Sequence, residues 1–289
     1  MELQGICHKM HAALKTHSVP DQAIHKANVE YKFILDRSEI DLPFVLGQEL
    51  EIEWTGNIFC TSCCAKTPKS YSQGHCFKCF KTKAECDLCI MKPETCHYHL
   101  DTCREDEFAH SVCFQPHIVY LANSSALKIG ITRIVNMPTR WLDQGATQAL
   151  PILKVGSRRL SGHLETLIGT QIADKTDWRK LLKGEAEPLN LIEQRDQILE
   201  EFAPKIQTIR DEFSQNLEFN ENLEFLENEL PREFIYPVEQ YPEKIKSLNL
   251  DKTPKIRGVL QGIKGQYLLL DIGVINIRKY TGYELILRA

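Results

Sequence analysis

Ten cysteines fall within fifty-four residues, from Cys60 to Cys113, and no other stretch restricts the fold as strongly. The first residues, Met-Glu-Leu-Gln-Gly, supply neither a basic n-region nor an apolar h-region, so a cytoplasmic location is expected. In a reducing compartment, clustered Cys-x-x-Cys pairs read as metal sites rather than disulfides. Cys60-x2-Cys63 and Cys76-x2-Cys79, with twelve residues between them, have the spacing of a zinc ribbon. Each pair forms a knuckle that points two thiolates the same way, and two knuckles complete a tetrahedral Zn2+ site. Cys64, next to Cys63, points elsewhere.

Cys86-x2-Cys89 is a third knuckle. Cys96 and Cys103 are the nearest thiols to complete a second site, with Cys113, His97, His99 and His117 as alternatives. Two structural Zn2+ ions are therefore expected, although four thiolates also admit an iron–sulfur cluster. Closed four-thiolate sites of this kind have no open coordination position and do no chemistry. Lys66, Lys69, Lys78, Lys81, Lys83 and Lys92 are interleaved with Tyr71, Phe77 and Phe80, a composition that suits contact with a nucleic-acid backbone and its bases.

Five segments follow from composition and patterning. Residues 1–58 are β-rich, with polar and apolar residues alternating over Glu30–Leu35 and Glu49–Trp54. Cys7 reads as a small buried hydrophobe, and His8, His11, His17 and His25 lack metal-type spacing. Residues 59–116 are the cysteine-rich region. Residues 117–184 form a compact unit in the order β-β-α-β-α-α: strands over 118–122 and 127–131, a helix capped by Asn136 and ended by Gly145, a strand over 151–155, a helix capped by Ser161 running to about Ala173, and a short helix capped by Thr176 through Trp178 to Leu182. Residues 185–233 are acidic and helical, with a kink expected at Pro204. Residues 234–289 return to strands over 256–263, 266–272 and 273–278, the first two joined by a tight turn at Lys264-Gly265. Leu3-Gln-Gly-Ile6 recurs as Leu260-Gln-Gly-Ile263, and the two terminal segments are expected to pair in one barrel-like unit. The fold class is thus α+β.

The net charge of −4 is unevenly distributed. Residues 185–233 carry fourteen acidic against four basic side chains, whereas 117–183 carry ten basic against four acidic. A polyanion would therefore meet the compact unit.

The compact unit resembles the GIY-YIG nuclease superfamily, in the phage-type branch whose second motif reads Lys-Ile-Gly. Val119-Tyr-Leu121 matches the first motif, Lys128-Ile-Gly130 the second, Arg140 the helix arginine and Glu165 the metal-binding glutamate. The resemblance covers about a quarter of the chain. It implies a divalent-metal-dependent endonuclease in which Glu165 holds Mg2+ or Mn2+, Arg140 braces the phosphate, Tyr120 acts as general base or orients water, and Lys128 stabilises charge. His163 and His117 are further candidates for the proton transfer. Arg133, Lys154, Arg158, Arg159 and Arg179 are candidates for backbone contacts with DNA or RNA. The chain as a whole also resembles an uncharacterised bacterial family, a domain of unknown function. Cys96-His-Tyr-His99, Lys128-Ile-Gly-Ile-Thr-Arg133, Pro138-Thr-Arg-Trp141, Asp143-Gln-Gly-Ala146 and Gly262-Ile-Lys-Gly-Gln-Tyr267 carry that likeness. A non-catalytic DNA- or RNA-binding module and a zinc-stabilised interaction scaffold are the alternative expectations.

Overall fold

Short alternating stretches near the N-terminus give β1 (Glu2–Ile6), β2 (His11–Leu14), β3 (His25–Leu35), β4 (Ser38–Asp41) and β5 (Glu49–Ile58). The structure, a computed structural model, describes residues 1–15, 25–172, 177–184, 186–214 and 222–289. In the cysteine-rich stretch, regular structure is limited to α1 (Phe77–Thr82), several single 3-10 turns, and α2 (Asp106–Phe108), which continues into a π-turn over Ala109–Cys113. The next unit runs β6 (His117–Asn123), β7 (Leu127–Arg133), α3 (Thr139–Asp143), β8 (Gln148–Val155), α4 (Arg158–Ile168) and α5 (Trp178–Lys183). The long α6 (Leu191–Ser214) follows, continuous through Pro204, and then β9 (Leu223–Phe225) and β10 (Arg232–Ile235). β11 (Lys255–Lys264), β12 (Tyr267–Leu270), β13 (Gly273–Asn276) and β14 (Tyr283–Arg288) complete an α+β chain.

Two sheets organise these elements. One has six strands in the order β1-β14-β5-β11-β12-β13, all antiparallel. The other follows β2-β3-β10-β8-β6-β7, with β4 on β3 and β9 on β8. The N-terminal segment is therefore divided: β1 and β5 pair with C-terminal strands, whereas β2, β3 and β4 belong to the sheet of the central unit. The recurring Leu-Gln-Gly-Ile tetrapeptides lie in β1 and β11, in the same sheet but not on neighbouring strands.

β6 is buried along its whole length, which is why it reads as a nearly continuous apolar run. Ile118, Tyr120 and Ala122 face the larger core, which they share with β3 and the C-terminal strands. Val119 and Leu121 face a second core under α4 and α6, filled by Leu160, Leu164, Ile168, Ile198, Phe202 and Ile206. The acidic residues of α6 lie on its opposite, solvated side, as amphipathic spacing requires.

Several local expectations are revised. α3 starts at Thr139, with Pro138 in the cap position, and Asn136 instead closes a separate 3-10 turn. Gly145 does follow that helix, at φ +67°. α4 begins one turn earlier than the sequence suggests, because Ser157 accepts the Leu160 amide. Ser161 lies inside the helix and bonds back to the Arg158 carbonyl. The helix ends at Ile168, and the expected end at Ala173 lies outside the described residues. Thr176 and His17 are also outside them. α5 is capped by Asp177, whose carboxylate accepts the Arg179 and Lys180 amides. The strand expected over 273–278 stops at Asn276 and turns through 3-10 geometry to Tyr280.

The cysteine-rich region docks on α4 at Gly162. A Cβ there would stand 2.6 Å from the Pro93 Cβ and 2.7 Å from the Glu94 backbone nitrogen. Backbone cannot yield as a flexible side chain can, so Gly162→Ala should cost about 1–3 kcal/mol. Denaturant titration of the metal-replete protein is the check, with a larger loss if the docked segment detaches.

Candidate functional site

The first candidate metal centre is built by two knuckles clamped to the end of the six-stranded sheet. Phe59 donates its amide to the Gly282 carbonyl at 2.7 Å, and Thr61 donates to Gly74 at 3.0 Å. Cys64 donates its amide to Cys60 at 2.9 Å and takes a left-handed φ of 58°, which closes the first knuckle while leaving its own thiol exposed. Cys76 caps α1 and so delivers Cys79 one turn on. The ligand atoms of Cys60, Cys63, Cys76 and Cys79 all lie within 4.8 Å of one another, and the Cys63 and Cys76 sulfurs are 3.8 Å apart. A single tetrahedral ion with metal–sulfur bonds of about 2.3 Å requires about that separation.

The charges agree with a metal. Burial pushes the Cys60 thiol up, but the amides of Cys76, Cys63 and Ser62 outweigh it and bring the thiol down to about 6. Burial and the neighbouring sulfurs push Cys79 up to about 12. Four thiolates at this distance repel one another unless a cation is shared among them. His75, which sequence reasoning passed over, braces the second knuckle. Its ring nitrogens bond Ser72 O and Glu85 Oε1, each at 2.7 Å.

The remaining cysteines are arranged differently from the sequence-based set. Cys89, Cys96, Cys103 and Cys113 line a small cavity of about 20 Å3, and Cys86 does not. The Cys86 thiol is within electrostatic reach of Cys60 instead. His99 and His117 also lie outside the lining. His117 bonds the Gln115 carbonyl through Nδ1, and burial brings the imidazole down to about 4. His97 lines the cavity but pairs with Asp87 at 3.5 Å and bonds Thr102. Although Asp87, Cys89 and His97 also gather within 4.8 Å, the Asp87 carboxylate is held by Arg104 at 2.6 Å and by the Cys89 amide. That trio is accounted for by its own ion pairs.

Around the hairpin of β6 and β7, Tyr120, Lys128, Arg140 and Glu165 are brought together. Tyr120 pairs with Gly130 and Ala122 with Lys128, so all four side positions are on one face. Gly130 is required there: a Cβ would stand 2.7 Å from the Tyr120 hydroxyl and 2.8 Å from the ring. The Tyr120 ring instead crosses the vacant position and meets Trp141 edge-on, with centroids 5.8 Å apart. Gln144, just after α3, accepts from both the Tyr120 hydroxyl at 3.0 Å and the Lys128 ammonium at 2.8 Å through one oxygen, Oε1. Burial raises the Tyr120 phenol, Arg140 lowers it by charge and hydrogen bond, and Glu165 raises it. Burial, then Arg140, lower Lys128 to about 8 against the pull of Glu165. Gln144 was legible only as part of the run Asp143-Gln-Gly-Ala146, with no role attached.

The expected backbone-contact residues are dispersed. Arg158 is half-buried and donates to the Ile90 carbonyl at 2.6 Å, tying α4 to the cysteine-rich region. Lys154 pairs with Glu224 at 3.2 Å, and Arg159 lies over the Phe213 ring at 5.3 Å. Arg179 stacks on Trp178, and Arg133 pairs across the sheet with His117. In the cysteine-rich region, Tyr71 packs on Phe77 and Phe80, with Lys69 over Tyr71 and Lys81 over Phe77.

The chain belongs to the family described as a protein of unknown function, DUF2797, whose model matches residues 47–285. No curated protein and no solved structure matches it at a significant level. Among the described residues, no helix is long and apolar enough to cross a membrane.

The lowered Lys128 has a consequence for stability. Between about pH 8 and its unfolded value of 10.5, the unfolded chain holds a proton that the folded chain has lost. Stability attributable to this position therefore rises with pH across that window. Lys128→Met should be more stable than wild type near pH 7, with the gap narrowing by up to about 3 kcal/mol as the pH reaches 10.5. Paired denaturant titrations at several pH values measure this.

Proposed function

We propose that this protein acts on nucleic acid as a divalent-metal-dependent endonuclease, with Tyr120, Lys128, Arg140 and Glu165 as its reaction centre. The observation that carries the reading is their convergence. Tyr120 and Lys128, from two strands, share the Gln144 oxygen, and Arg140 and Glu165, from two helices, lie within electrostatic reach of both. Structural packing alone does not call for a buried lysine and a half-buried glutamate beside an arginine, because burying charge without a functional return is costly.

Glu165 would hold the ion, and a lone carboxylate suits Mg2+ or Mn2+, which keep most of their waters. When bound, such an ion neutralises charge on the phosphoryl oxygens. Arg140 offers the planar fork that grips a phosphate through two parallel hydrogen bonds. Lys128, lowered to about 8, becomes fully protonated once a phosphate dianion or diester sits beside it, and then stabilises the negative charge that develops during attack. Tyr120 is fully buried and its phenol is raised, which favours orienting a water over abstracting its proton. Gln144 positions both groups. The four-cysteine centre at Cys60, Cys63, Cys76 and Cys79 would hold Zn2+ and carry the structure rather than the chemistry.

A second reading, binding without cleavage, draws on the same burial of Tyr120, which keeps its phenol protonated. One experiment separates the two. DNA and RNA substrates are incubated with Mg2+ or Mn2+, and Glu165→Ala is compared with wild type. The endonuclease reading requires metal-dependent cleavage that falls at least on the order of 10²-fold in the variant while salt-sensitive binding is kept. Binding by both proteins with cleavage by neither establishes the second reading, and an absence of binding removes both.

A further inference from the structure

We propose that Cys89, Cys96, Cys103 and Cys113 hold an iron–sulfur cluster, distinct in kind from the zinc expected at the two knuckles. This inference is independent of any nuclease activity.

The two thiol sets differ in geometry. At the first, the sulfurs have already closed to the spacing of a single tetrahedral ion, 3.8 Å between Cys63 and Cys76. The second set encloses a cavity of about 20 Å3, and no three of its thiols gather within 4.8 Å of one another. A single zinc ion draws its four sulfurs together, whereas a polynuclear cluster sets its ligands farther apart and occupies the space between them. The four thiols nevertheless belong to one site, since Cys89, Cys96, Cys103 and Cys113 all line this cavity.

The surroundings suit a cluster. Ile90, Tyr98, Phe108 and Phe114 line the same cavity and give it apolar walls. Tyr98 and Phe114 meet edge to face at 4.8 Å, which fixes one wall. Arg104 lines the cavity as well, paired there with Asp87 at 2.6 Å, and Arg158 of α4 reaches the carbonyl of Ile90 in the lining at 2.6 Å. The spacing is Cys-x6-Cys-x6-Cys-x9-Cys, and each ligand after the first comes from a separate turn of irregular chain. Such a segment has little apolar core of its own, and a bound cluster supplies the cross-link that sets its path.

The position of the cavity gives the cluster a structural task. The loop from Cys89 to Cys96 contains Pro93 and Glu94, which press on Gly162 of α4, and Ile90, whose carbonyl receives Arg158. The cluster would therefore hold in place the helix that carries Glu165.

The test is anaerobic purification of the full chain from cells supplied with iron. Iron, zinc and acid-labile sulfide are then quantified, and the visible absorption is recorded. Iron and sulfide in equal amounts, a broad visible band and about one zinc per chain are expected. Cys113→Ser should lose the iron and the band, and Cys86→Ser should keep both. Two zinc ions per chain with neither iron nor sulfide would overturn the proposal on the wild-type protein alone, whatever the variants do. Iron kept in Cys113→Ser but lost in Cys86→Ser would overturn the ligand set.

Discussion

The constraint on which the rest of the molecule depends is that β6 has no solvated face. A strand buried on both sides commits its even and odd positions to different cores, and a shift of one residue would exchange them. Its register against β7 therefore fixes where Tyr120 and Lys128 lie, and its register against β8 fixes α4 beyond it. Gln144 can then serve both polar groups with one oxygen only because the two strands hold them at neighbouring positions. The larger core reaches from this strand to the C-terminal strands, so the candidate site rests on a frame drawn from both ends of the chain.

The cysteine-rich region is attached at two places rather than forming a separate lobe. The first knuckles meet the end of the six-stranded sheet through Phe59 and Gly282, and the later loops meet α4 through Pro93 and Arg158. Between them, Arg104 binds the Phe80 and Lys83 carbonyls as well as Asp87, and Glu105 accepts the Lys83 ammonium and the Ala84 amide. The two thiol groups are thereby coupled through side chains that bond the end of α1. A segment with so few apolar residues in its interior depends heavily on such polar ties to stay folded.

Much of this is legible in the sequence, and the parts that are not have identifiable physical causes. Alternation and punctuation located the strands of the central unit because their apolar runs are bounded by turn residues. The first four-cysteine group was legible because a Cys-x-x-Cys knuckle is a local device whose geometry hardly depends on context. The other thiols are legible only in part: Cys89, Cys96 and Cys103 share one cavity as their proximity in sequence suggests, but Cys113 joins them by a path of 3-10 and π-turns that leaves no periodic trace, and Cys86 lies outside that lining. Helix starts were misplaced where two candidate caps stood within a turn of each other: Ser157 and Ser161 are equal in chemistry, and only the strand before them decides which has extended backbone. Gln144 carries no charge, and the run Asp143-Gln-Gly-Ala146 attaches no role to it, so its double role depends wholly on the tertiary arrangement.

The pairing of β14 has a consequence for how the chain is assembled. β14 lies between β1 and β5, and β5 finds its other neighbour in β11. During synthesis both N-terminal strands emerge long before any partner exists, while the cysteine-rich region and the central hairpin can complete their own contacts at once. Closure of the six-stranded sheet is accordingly a late, long-range event with a high loop-closure cost. Until it occurs, β5 exposes two unpaired edges, the feature through which two incomplete copies would pair.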